Sequence, residues 1–108
     1  MRILFDQGTP VGIRDSLPEH FVRTVRQEGW STLLNGELLR AAEEAGFDVL
    51  LTTDKNLVYQ QDLKHRKIAV LALGRSRWSL IQPVRERISA AVRTAKPGSY
   101  TLIEIPDE

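Results

Sequence analysis

The sequence predicts an α/β fold in which a mainly parallel sheet of about five strands lies between two layers of helices. Short apolar runs without polar alternation recur along the chain, and such runs are typical of strands buried on both faces. Segments with helical periodicity separate the runs, which predicts right-handed crossovers between parallel strands. The chain has 108 residues and neither an internal repeat nor a Gly/Ser/Pro-rich linker, so residues 1–108 are predicted to form one domain.

The first half of the chain contains three predicted strands, at residues 3–5, 21–25 and 48–53. Thr9 is a typical N-cap residue and Pro10 suits the first turn of a helix, so a short helix is predicted from there to Leu17. Asn35 is predicted to cap a second helix, which ends at Gly46. The apolar face of that helix consists of Leu38, Ala41, Ala42 and Ala45.

The second half contains the most apolar segment, residues 67–73, which we interpret as the central strand. A short helix or turn is predicted before it, over residues 55–63. Ser79 and Gln82 have the spacing of a capping box and predict the start of a long final helix. The apolar stripe of that helix consists of Ile81, Val84, Ile88, Ala91, Val92 and Ala95. Residues 100–105 alternate between apolar and polar, which predicts a last strand at a sheet edge.

The composition excludes several classes of site and of protein. The chain has no Cys and two His, which excludes disulfides, thiolate zinc sites, a cysteine nucleophile and a histidine-rich metal site. Any metal ion would therefore be held by carboxylates. No apolar run approaches the roughly 18–20 residues of a membrane helix, and the N-terminus has no signal-peptide pattern. We therefore predict a cytoplasmic protein without a membrane partner.

The formal net charge of +1 conceals a segregation of charge along the chain. Residues 1–54 carry five Arg and nine acidic residues, whereas residues 55–96 carry ten Lys or Arg and two acidic residues. An acidic centre beside a basic surface suits a polyanionic substrate held near a carboxylate-bound cation. A basic stretch is also typical of a solvent-exposed helix face, so the charge pattern leaves both interpretations open.

Three acidic residues are candidates for a metal site. Asp6 follows the first predicted strand and Asp54 the third, and open parallel sheets bind ligands at the carboxyl ends of their strands. Glu37 lies in the first turn of the second helix, which can bring it to the same edge. Converging carboxylates repel one another unless a cation neutralises them, and Mg²⁺ or Mn²⁺ prefers such oxygen ligands. Singly, each acid also suits a cap or a turn, so the hypothesis depends on their joint placement.

Three segments carry a resemblance to a known family. They are MRILFD at residues 1–6 with Pro10 shortly after, NGELL at residues 35–39, and VLLTTDKNL at residues 49–57. With the apolar strand that follows, they extend over residues 1–73. In order and spacing they resemble the PIN-like superfamily, specifically its small single-domain members that are predicted toxin nucleases.

The resemblance implies a three-layer α/β/α fold with an acidic cluster that binds Mg²⁺ or Mn²⁺. Asp6, Glu37 and Asp54 stand at the acidic positions of the family, where they would hold the ion and act as catalytic residues. The implied activity is hydrolysis of RNA phosphodiesters by an activated water. The implied partners are an antitoxin protein that blocks the cleft and a second copy of the chain in a homodimer.

Gln7 and Asn56 stand where many relatives have a further acid. Both keep an oxygen that can act as a secondary metal ligand, but the missing charge lowers the expected metal affinity. A catalytically degenerate PIN-like module that binds RNA or protein is therefore an alternative. A receiver-like phospho-signalling domain fits less well, because Asp6 stands alone where that class has an acid pair.

Four residues are predicted to bind substrate. Arg75 and Arg77 follow the most apolar strand and can pair with phosphates at the same edge as the acids. Trp78 can stack on an unpaired base, or it can pack over the core beside the following helix. Lys55, next to Asp54, can neutralise a phosphate or point to solvent.

Overall fold

The computed structural model of the protein describes residues 1–55 and 63–106. Its strands form one sheet in which all neighbouring pairs are parallel and the order is β2-β1-β3-β4-β5. The strands are β1 (Arg2–Phe5), β2 (Phe21–Thr24), β3 (Val49–Thr52), β4 (Ala69–Leu73) and β5 (Tyr100–Ile103). The described helices are α1 (Val25–Glu28), α2 (Asn35–Glu44), α3 (Trp78–Ile81) and α4 (Glu86–Thr94), with 3-10 helices η1 (Val11–Ser16) and η2 (Gln82–Val84).

The sheet is covered by helices on both faces, which confirms the three-layer α/β/α fold. Because successive strand residues point to opposite faces, Ile3 and Phe5 pack with η1, α3 and α4, whereas Leu4 packs with α1 and α2. Strands β3 and β4 are buried at every position, which is why they read as continuous apolar runs. None of the described helices is long and apolar enough to cross a membrane.

One crossover departs from the expected handedness. The β2–β3 connection moves across the sheet in the same direction as the β4–β5 connection. Its helix α2 packs on one face, but α3 and α4 of the β4–β5 connection pack on the other face, together with η1. Two connections that move the same way over opposite faces have opposite hands, so the expectation that every crossover is right-handed is wrong for one of them.

Local hydrogen bonds shift the boundaries predicted for the first half of the chain. The predicted helix after Pro10 is the 3-10 helix η1, which begins one residue later. Strand β2 ends at Thr24 because this residue forms a capping box with Gln27 and starts α1. Helix α2 has Leu34 at its N-cap and Asn35 as its first residue, so the predicted Asn35 cap is wrong by one position.

In the second half of the chain, the structure differs from the prediction mainly in the long final helix, which is divided into α3, η2 and α4. The Ser79–Gln82 capping box is wrong, because α3 begins at Trp78 and its N-cap is Arg77. Pro83 has no N–H to donate to an α-helical bond, and the chain tightens there into η2 before α4 begins. Strand β5 lies at the predicted sheet edge, but β3 rather than β4 is the central strand. Most of the helix or turn predicted over residues 55–63 lies outside the described residues.

A half-buried carboxylate fastens α2 to the segment before β4. Glu43 Oε1 accepts a hydrogen bond from Arg66 Nη1 at 2.6 Å, and its other oxygen accepts one from the backbone N–H of Lys67. Burial raises the pKa of Glu43, but the hydrogen bonds from Arg66 and Lys67 and the Arg66 charge outweigh it, so the pKa lies below its usual value.

Glu43→Gln is expected to remove a pH-dependent part of the stability. The pKa of Glu43 is lower in the folded than in the unfolded chain, so the ionised carboxylate stabilises the fold above the usual Glu pKa, near about 4.3. That contribution disappears as the pH falls through the lowered folded pKa. Urea unfolding at pH 7 should show a loss of about 1–3 kcal/mol, and the loss should shrink towards pH 3. An equal loss at both pH values would contradict this assignment.

Candidate functional site

The candidate site lies at the carboxyl ends of β1 and β3. Asp6 directly follows β1, and Asp54 lies two residues beyond the end of β3. Strand β1 is the point where the winding reverses, since β2 lies on one side of it and β3 on the other. Open α/β sheets bind ligands in the crevice at such a switch point. Topology therefore places both acids where this fold class binds ligands.

A threonine hydroxyl connects the two acidic segments. Thr52 is fully buried, and its hydroxyl donates to Asp6 Oδ2 at 2.8 Å and accepts from the backbone N–H of Asp54 at 3.0 Å. The other carboxylate oxygen of Asp6 accepts from the backbone N–H of Gln7 at 2.8 Å. These contacts fix the orientation of the Asp6 carboxylate and tie the segment after β1 to the segment after β3.

The turn after β1 packs closely on the end of β3. The backbone N–H of Asp6 donates to Leu51 at 2.9 Å, and Thr9 donates its hydroxyl to the same carbonyl at 3.1 Å. Gly8 has a φ of +86°, and a Cβ there would lie 3.1 Å from Thr53 Oγ1. A larger residue at position 8 would therefore meet both backbone strain and the neighbouring segment.

Glu37 takes part in a local contact at the start of α2. Its side chain is exposed, and Oε1 accepts from the backbone N–H of Leu34 at 3.3 Å. Across residues 1–55 and 63–106, no three His, Cys, Asp or Glu side chains lie close enough together to hold a metal ion. Asp6 and Asp54 thus follow the carboxyl ends of β1 and β3, and within the described residues the three predicted acids do not form one cluster.

Two carboxylates still fit a magnesium-type site. Mg²⁺ usually keeps several waters and takes one or two protein carboxylates together with substrate phosphates. Asp6 and Asp54, both half-buried, supply carboxylate oxygens of that kind. Gln7 is exposed beside Asp6, whereas the predicted secondary ligand Asn56 lies outside the described residues.

The cleft beside Asp6 opens towards β2 rather than towards β4. It has a volume of about 340 Å³. It is lined by the end of β1 and the turn that follows it, by Val11 of η1, and by Thr24, Val25 and Arg26. Arg26 was not predicted as a functional residue. The carboxyl-end rule applied to β2 points to it, because it lies two residues beyond that strand.

All four predicted substrate-binding residues lie among the described residues. Arg75 and Arg77 are exposed in the segment after β4 and line a shallow pocket with Leu80. Trp78 is half-buried against the core, and a Cβ on Gly12 would lie 3.0 Å from its ring, so the indole packs on η1. Lys55 is exposed, and its carbonyl accepts from the Tyr100 hydroxyl at 3.3 Å.

Comparison with protein-family models, with curated proteins and with solved structures gave no match. The PIN-like resemblance therefore stays a prediction from the sequence motifs. The case for the site is the geometry of Asp6, Thr52 and Asp54 at the switch point of the sheet.

Proposed function

We propose that this protein is a metal-dependent endoribonuclease whose Mg²⁺ or Mn²⁺ ion is held by Asp6 and Asp54. The observation that carries the proposal is the shared contact with Thr52, which ties the two acidic segments together at the switch point of a parallel sheet. Carboxylates in such a crevice suit a divalent cation, and the cation suits a phosphodiester substrate.

The residues of the chain have separate parts in this reaction. Asp6 and Asp54 would hold the Mg²⁺ or Mn²⁺ ion, which would supply polarisation of the phosphodiester and activation of a water for attack. Thr52 and the Gln7 N–H each use one lone pair of Asp6 and leave others for a ligand. In the proposed reaction, Lys55, Arg75 and Arg77 hold the flanking phosphates. Trp78, which packs on η1, forms part of the surface beside them.

The resemblance supplies the biological part of the proposal. The protein would act in the cytoplasm as the toxin of a toxin–antitoxin pair, with an antitoxin protein covering the cleft. A homodimer belongs to the same proposal, and the edge strand β5, where Leu102 is exposed, offers a surface for it.

A catalytically degenerate module that binds RNA or protein is the second candidate. It is favoured by the lack of a three-carboxylate cluster among the described residues and by the contact of Glu37 with the backbone N–H of Leu34. Gln7 adds to this, because an amide next to Asp6 contributes no negative charge to a metal site.

Calorimetric titration of Mg²⁺ and Mn²⁺ tests the first candidate against the second. The wild type should bind the ion and cleave a single-stranded RNA only in its presence. Asp54→Asn should weaken metal binding at least about tenfold and remove cleavage. The matched control is Asp48→Asn, which lies just before β3 at the amino end of the strands. Its amide oxygen can still accept from the Arg2 N–H. Absence of metal binding at millimolar ion in the wild type would select the degenerate module.

A further inference from the structure

We infer that Arg26 binds a phosphate of the nucleic-acid substrate, and that the cleft between β1 and α1 is a subsite for one unpaired nucleotide. The inference rests on the proposed function, because it names the substrate contact of the same site. It adds a substrate contact on the β2 side of Asp6 to the contacts proposed for Arg75 and Arg77 on the β4 side.

The first support is the position of Arg26 beside the cleft. The short helix α1 is fixed at its start by the reciprocal hydrogen bonds of Thr24 and Gln27 and at its end by Gly29, which has a φ of +77°. Within this frame Val25 is buried and Arg26 lines the cleft together with Asp6. The caps of α1 therefore hold the backbone of Arg26 at the wall of the cleft.

The second support is the absence of a neutralising partner. Glu28, the acid of α1, is engaged by Arg23 through a 2.6 Å ion pair. In the described part of the chain, no carboxylate lies within ion-pair distance of the Arg26 guanidinium and no side chain accepts a hydrogen bond from it. Its charge is thus available to a ligand in the cleft.

The third support is the pairing of opposite charges across one cleft. Asp6 and Arg26 line the same space but form no ion pair with each other. A ligand that carries both charges fits between them, and a metal-bound phosphate has this character. The cation would face Asp6, and the phosphate oxygens would face the planar donors of Arg26.

The fourth support is the size and apolar side of the cleft. A volume of about 340 Å³ is at the lower end of the range for small-molecule pockets, about 300–1,000 Å³. Val11 lines the cleft and is 62% exposed, so it gives the cleft an apolar surface that a ligand can cover. An unpaired base or a ribose has the size and the apolar surface to cover it.

Fluorescence anisotropy with a fluorescein-labelled 12-nucleotide single-stranded RNA, in EDTA and over a range of salt concentrations, tests the inference. EDTA prevents metal-dependent cleavage, so the measurement reports binding alone. We expect Arg26→Ala to weaken binding about tenfold and to reduce the slope of log Kd against log salt by about 0.7. Arg26→Lys should keep the slope and lose part of the affinity, because lysine keeps the charge without the planar fork.

The matched control is Arg40→Ala, which removes an exposed arginine of α2 that does not line the cleft. It should change neither affinity nor slope. The double variant Arg75→Ala/Arg77→Ala measures, in the same titrations, how much the β4 side contributes to RNA affinity and to the salt slope. The inference is overturned if Arg26→Ala behaves like Arg40→Ala, or if the wild type shows no binding to the RNA at any salt concentration.

The same proteins separate this inference from the proposed function. If the wild type cleaves RNA with Mn²⁺ and Arg26→Ala cleaves equally well with unchanged affinity, the subsite is wrong and the nuclease stands. If the wild type neither binds metal nor cleaves, but Arg26→Ala still loses affinity and slope, the nuclease is wrong and the subsite stands. Equal melting temperatures for all variants would show that exposed Arg26 acts on binding and not on folding.

Discussion

Asp6→Asn is expected to lower metal-dependent RNA cleavage at least about a hundredfold while the protein stays folded. The substitution removes the negative charge that faces the divalent ion, and it replaces one of the two carboxylate oxygens by an NH2 group, which cannot coordinate a cation. Both losses act directly on the metal site. The measurement is initial cleavage velocity of the 12-nucleotide RNA at saturating Mn²⁺, compared with wild type.

The fold should tolerate this substitution because most contacts of Asp6 survive it. The Asn side chain can still accept from the Gln7 N–H, whereas the 2.8 Å hydrogen bond from Thr52 is lost or reversed. That loss costs about 1 kcal/mol, and relief of repulsion between Asp6 and Asp54 offsets part of it. We expect a change in melting temperature smaller than about 5 °C.

Asp48→Asn again provides the matched control, since it makes the same chemical change at the opposite edge of the sheet. It should leave cleavage within about twofold of wild type, because the site keeps both of its carboxylates. A collapse of Asp6→Asn on thermal melting would show that Asp6 is structural. Full activity in Asp6→Asn would remove it from the metal site.

The sheet and the two acids at its edge were predictable because the determinants are local. A continuous apolar run such as that of β4 predicts a strand that is buried on both faces. An acid directly after such a strand lies at its carboxyl end, where open parallel sheets bind ligands. Asp6 and Asp54 were found in this way. Their connection through Thr52 was not, because it joins residues 46 positions apart and depends on the register of β1 with β3.

The parts that were missed depend on tertiary order. Arg26 lies beside Asp6 because β2 pairs with β1. The residues around Arg26 do not indicate with which strand β2 pairs. Glu37 stays a predicted ligand, because an acid in a first helical turn suits a metal ion and is equally suited to the N–H that it contacts at Leu34. Helices α3 and α4 pack on the same face as η1, and their apolar stripes alone do not indicate which face that is.

Gly98→Ala is expected to be one of the most destabilising single substitutions outside the core. Gly98 has a φ of +75°, a conformation that costs an L-residue about 1–2 kcal/mol. A Cβ there would also lie 3.0 Å from the carbonyl oxygen of Leu63 and 3.1 Å from that of Arg66. Both atoms belong to the backbone and cannot move aside by a change of rotamer. Crowding adds about 1–3 kcal/mol, so the melting temperature should fall by more than about 10 °C.

Gly29→Ala separates backbone strain from crowding. Gly29 has nearly the same φ, +77°, but a Cβ there would meet nothing within 4 Å. It should therefore lose only the cost of the left-handed conformation, about 1 kcal/mol. The difference in unfolding free energy between the two variants measures the cost of crowding between residue 98 and the segment before β4. The Gly98 N–H also donates to the Ile68 carbonyl in this segment, at 3.1 Å. Equal losses in urea unfolding would mean that this segment moves away at little cost, and that the start of β5 is held by its β4 ladder alone.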